Sequence, residues 1–151
     1  MKTRLHAGAG ALALTIICLF WVSTAVTELS GDASTVAAVK QAILYGMLVL
    51  IPAMMTAGSS GFSLAKGWKS PVVARKRQRM QLVAANGLLV LLPSAWLLAG
   101  WAQAGRFDVA FVLVQALELV AGAVNITLLS LNMRDGLKLR RRPPMRVAPA
   151  R

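Results

Sequence analysis

Residues 108–132 read Asp108-VAFVLVQALELVAGAVNITLLSL-Asn132. At about 1.5 Å per residue, a helix of this length crosses a bilayer. The run is apolar, yet it carries Gln115, Glu118, Asn125 and Asn132, with Gly122 among them. Spacings of three, four, three and seven put all five on one helical stripe. Hydrocarbon is a poor solvent for amides and carboxyl groups, so this stripe must face protein. The other apolar segments are expected to cover it.

The whole chain agrees with a membrane location. Of 151 residues, 57 % are hydrophobic, and the mean hydropathy is +0.63. A soluble domain of this size could not bury so much apolar surface. The net charge of +12 is not spread as a nucleic-acid-binding patch. It falls in clusters between long apolar runs, as in membrane proteins with basic loops on one side. No nucleic-acid partner is expected.

Four spans are predicted, at about 7–26, 36–61, 81–104 and 109–132. The first follows the basic start MKTRLH. With Ser23-Thr24-Ala25 it has some features of a cleaved signal peptide, but its apolar run has the length of a span. Gly8, Ala11 and Thr15 offer it a smooth contact face. The polar residues 27–35 read as a turn. In the second span, Ala53, Ala57 and Gly61 form a ridge of small residues. A basic loop at 63–80 follows, with Trp68 at headgroup level. Trp96 and Trp101 mark the far end of the third span. Asp108 is placed to cap the fourth. Residues 1–139 form one transmembrane domain. The basic, proline-rich tail 140–151 is expected to be flexible.

Lys and Arg number two before the first span, six in the 63–80 loop and seven from Arg134 onward, against only Lys40 and Arg106 in the other connections. This bias places both termini in the cytoplasm, consistent with an even number of spans. The expected fold is therefore an all-α membrane protein, with four transmembrane helices in an antiparallel bundle, N-in/C-in. Richness in Ala, Leu and Arg suggests the cytoplasmic (inner) membrane of a bacterium.

The second and third spans share an echo: YGMLVLIP at 45–52 and NGLLVLLP at 86–93. On oppositely directed helices, a true repeat would be inverted, as in many transporters. Leucine-rich sequence also matches itself by chance. Pro52 and Pro93 free the carbonyls of Leu48 and Leu89, for which Thr56, Ser94 or a protonated Glu118 are candidate partners. Straight-helix geometry predicts three polar layers: Gln115 with Tyr45, Glu118 with the two prolines, and Asn125 with Asn86. Desolvation favours the neutral acid at Glu118.

The chemistry available is narrow. One histidine, His6, and one cysteine, Cys18, exclude a His-cluster metal site and an intrachain disulfide. Met47, Met54, Met55 and Cys18 could line a copper(I) path, but thioethers more often just fill gaps. No catalytic set and no phosphate loop is present, so neither an enzyme nor a cofactor is expected. Lys66, Lys69, Arg75, Lys76, Arg77, Arg79, Arg140, Arg141 and Arg142 are suited to anionic lipid headgroups or an acidic partner. The expected role is a non-catalytic accessory or assembly subunit of a larger membrane complex. The alternative is a small proton- or ion-coupled transporter acting as a homo-oligomer, with Glu118 as its coupling residue.

Overall fold

The computed structural model describes residues 2–67 and 70–141. Among these, every regular element is helical: α1 Lys2–Ser30, α2 Ala33–Ala65, α3 Pro71–Asn86, a π-helical turn Gly87–Leu91, α4 Leu92–Gln103 and α5 Val109–Arg141. Because α3, the π turn and α4 run on continuously, four helical segments are long and apolar enough to cross a membrane: Thr3–Ser30, Ala33–Ala65, Pro71–Gln103 and Val109–Lys138.

The helices extend further than the hydropathy predicts. The 27–35 turn shrinks to Gly31 and Asp32, with Gly31 at φ 69°, a left-handed conformation natural to glycine. Asp32 then caps α2 by accepting from the Thr35 N–H at 2.9 Å. The largest correction concerns the expected basic loop at 63–80. Most of it is helix, because α3 begins at Pro71. Ser70 before it is extended, as a residue preceding proline prefers, and a proline fits the first helical turn. Val73, Lys76, Met80 and Val83 then recur at helical spacing, so this basic segment has an inward face. Trp68, Lys69 and the tail 142–151 lie outside the described residues.

Helix α1 packs on α2 and α5, α2 on α4, and α3 and α4 on α5. The α1–α2 contact runs in opposite senses: His6 meets Ala57 and Ser60, whereas Phe20 meets Gly46. The buried residues include Ala13, Ala53, Ala57, Ala95, Ala99, Ala102 and Ala121. Small side chains let helices approach closely, and in lipid that van der Waals contact replaces the missing hydrophobic drive. The α2 ridge of Ala53, Ala57 and Gly61 lies in such a contact. The proposed α1 face does not: Gly8, Ala11 and Thr15 are exposed, and Ala13, Ile17, Thr24 and Thr27 are buried instead. Two apolar clusters bracket the polar stripe. One joins Val36, Leu98, Ala102 and Phe111, and the other Ile17, Val83 and Leu129.

Candidate functional site

Helix α5 carries the polar stripe inward. Gln115, Asn125 and Asn132 are buried, and Glu118 is 12 % exposed. Its partner is Lys40 of α2, whose side chain is 1 % exposed and whose Nζ donates to Glu118 Oε2 at 2.5 Å. A buried charge in a low-dielectric site persists only when paired, so the two residues are mutually required. Gln115 Nε2 lies 3.4 Å from the same oxygen, one turn along α5. Glu28, near the end of α1, is close enough for the Lys40 and Glu118 charges to act on its carboxyl group. Glu28 Oε1 and Gln115 Oε1 are buried without a hydrogen-bond partner among the described residues. A cavity of about 60 Å³ touches Glu118, Thr24 and Met47. That is room for one or two waters.

Lys40 is therefore the residue that charge counting misplaced. The charge count sets it in a connection, although the expected span 36–61 already contains it, and in the structure it lies two turns into α2. A signal for it existed: one lysine inside an apolar helix, opposite one acid inside another. Intramembrane ionisable residues pair.

The three predicted layers fare differently. Asn86 and Asn125 come together: Asn86 Nδ2 donates to Asn125 Oδ1 and to the Ala121 carbonyl, both at 2.9 Å. Asn125 Nδ2 approaches the Val83 carbonyl at 3.4 Å. Tyr45 does not meet Gln115. It is 65 % exposed on the outer side of α2, because Lys40, Ile43 and Gly46 take the inner positions. Glu118 does not serve the prolines. Pro52 and Pro93 are exposed, and neither Thr56, Ser94 nor Glu118 donates to the Leu48 or Leu89 carbonyl. Near Pro93 the helix widens instead, and Leu92 N–H reaches back to the Gly87 carbonyl.

The paired glycines of the echo also differ. At Gly46 an added Cβ would collide with the Phe20 ring, whereas at Gly87 it would meet Asn125 Nδ2 at an ordinary 3.9 Å. Gly122 of the stripe admits Trp21, whose Cδ1 lies 3.0 Å from where a Cβ would stand. The Trp21 indole N–H donates to the Leu119 carbonyl at 2.8 Å.

At the basic end, the candidate lipid-facing residues separate. Lys66 and Arg75 are exposed. Arg79 is held by Asp135 at 2.7 Å. Arg77 lies over the Phe62 ring at 5.5 Å, and Lys76 is half-buried without an ion-pair partner among the described residues. Asn132 Nδ2 approaches the Lys76 carbonyl at 3.4 Å. Lys69 and Arg142 lie outside the described residues, as do the side chains of Arg140 and Arg141.

At the opposite end, Asp108 Oδ1 accepts from the Phe111 N–H at 3.0 Å, and its other oxygen takes Arg106 at 2.6 Å. The Arg106 hydrogen bond, followed by that of Phe111, holds the Asp108 carboxyl below its ordinary range. The Thr35 hydroxyl, followed by Ser34 and the Thr35 N–H, does the same for Asp32. Arg106 also stacks on Trp101 at 4.8 Å. No group of three or more His, Cys, Asp or Glu residues suited to a metal ion occurs among the described residues. No protein-family model, curated protein or solved structure matches this chain.

Proposed function

We propose that this membrane protein is a non-catalytic accessory or assembly subunit of a larger membrane complex. In this reading, four alternately directed spans form a bundle in a bacterial inner membrane, with both termini on the cytoplasmic side. The observation that carries the role is the buried Lys40–Glu118 pair at 2.5 Å. The candidate coupling acid is already engaged by a lysine, and the cavity beside it is about 60 Å³. A pair of this kind fixes which helix faces meet and in what register. That suits a scaffold whose task is to present a defined outer surface.

A second reading is favoured by one observation. Gln115 Oε1, on the side chain facing Glu118, and Glu28 Oε1, within reach of the charges of the pair, are buried without a hydrogen-bond partner among the described residues. A proton or a small cation there would offset the second carboxylate, as a coupled transporter requires.

Two measurements separate these readings. The native mass of the tagged protein, extracted gently from its host, should show a stoichiometric complex with other subunits. A homo-oligomer alone contradicts the accessory role. The double substitution Lys40→Met with Glu118→Leu removes both charges while keeping volume. A scaffold assembles and functions with it, whereas proton flux in a coupled carrier is abolished.

A further inference from the structure

All four spans meet at the basic end around a cavity of about 400 Å³, within the size range of small-molecule sites. Its walls change character with depth. Lys76 and Arg77 stand at the mouth, whereas Met80, one turn further into α3, and Ala57 and Gly58, one turn further into α2 than Phe62, are apolar. The ammonium of Lys76 has no carboxylate partner among the described residues, and the nearest acid, Asp135, is held by Arg79 at 2.7 Å. No acidic side chain lines the cavity. His6 closes one wall. Its Nδ1 lies 3.0 Å from the Ala57 carbonyl oxygen and 3.2 Å from Ser60 Oγ. At Gly58 an added Cβ meets nothing within 4 Å, so the space beside it is open.

We propose that this cavity binds one anionic phospholipid, with its headgroup phosphate at Lys76 and Arg77 and one acyl chain running inward past Phe62 to Gly58 and Met80. Two features require both halves of such a ligand. Two cations and no acid among the lining side chains suit a phosphate, Lys76 from beside Gly136 and Arg77 from beside Phe62, and the apolar remainder of the wall suits a hydrocarbon chain. A free phosphate would satisfy only the mouth, and a neutral lipid only the interior. The inference needs membrane residence alone and stands independently of the accessory role.

The test uses the full-length protein in a non-ionic detergent. Bound lipid is counted by native mass spectrometry during titration with dioleoyl phosphatidylglycerol, and again with dioleoyl phosphatidylcholine. One phosphatidylglycerol per chain is expected, bound at least tenfold more tightly than phosphatidylcholine. Lys76→Ala and Arg77→Ala should each weaken it by about fivefold. Gly58→Leu fills the inner space without touching a charge and favours the helix. It should abolish the tightly bound lipid while leaving the melting temperature unchanged or raised. Inorganic phosphate at millimolar concentration should not displace the lipid. Equal binding of the two lipids, undiminished binding by Gly58→Leu, or displacement by inorganic phosphate would each overturn the proposal.

Discussion

Lys40 Nζ lies 2.5 Å from Glu118 Oε2, joining α2 to α5 across 78 residues of chain. Each charge is tolerable in the interior because of the other. Removing one should therefore cost more than removing both. Lys40→Met alone and Glu118→Leu alone should each destabilise by about 3–5 kcal/mol, or force the remaining group to neutralise itself. The double variant should recover most of that loss. Unfolding in mixed detergent micelles measures all four corners of the cycle. Additive losses would mean that the pair contributes no coupling.

Asn86 and Asn125 form the second cross-helix tie. Asn125→Leu leaves Asn86 with only the Ala121 carbonyl and should cost about 0.6–2 kcal/mol, the usual range for interhelical hydrogen bonds in lipid. Because Asn125 and Glu118 lie two turns apart, this loss should add to that of the ion pair within about 0.5 kcal/mol. The same unfolding assay applied to the combined variants checks it.

Gly46 exists to admit Phe20. A methyl group at that position would occupy the ring's space, so Gly46→Ala should destabilise by about 1–3 kcal/mol despite alanine's better helix propensity. Phe20→Leu in the Gly46→Ala background should restore part of it. At Gly8, where a Cβ meets nothing, alanine should instead be neutral or stabilising. Melting temperatures of the set measure the contrast.

Asp32 and Asp108 both hold their carboxyls below the ordinary value of about 3.9. A depressed folded-state pKa means that these carboxylates stabilise the fold fully above the unfolded value. That contribution disappears as pH falls through the lower, folded-state value. Thermal stability should therefore be flat from neutrality to about pH 5 and decline below pH 4. Asp108→Asn keeps a capping side chain but not the titration, so its deficit relative to the parent should narrow in acid. A deficit that stays constant down to pH 3 would assign it to lost geometry rather than to charge.

Hydropathy and spacing suffice to read four helices apolar enough to cross a membrane and the polar face of the last one. Hydropathy and a spacing of three and four are local properties, and a bilayer leaves a helical backbone little alternative. The capping role of Asp108 was legible for the same reason. Helix ends are less legible: in 63–80 the many cations mask the helical recurrence of Val73, Lys76, Met80 and Val83. Tertiary structure alone decided which polar groups meet. Tyr45 and Lys40 sit five residues apart on α2, and no local rule says which of them faces α5. The answer follows from rotation about the α2 axis, which is set where Ala53, Ala57 and Gly46 admit α1. That rotation turns Tyr45 outward and brings Lys40 to Glu118. A lysine that charge counting sets in a connection thereby becomes the counter-ion at the centre of the site.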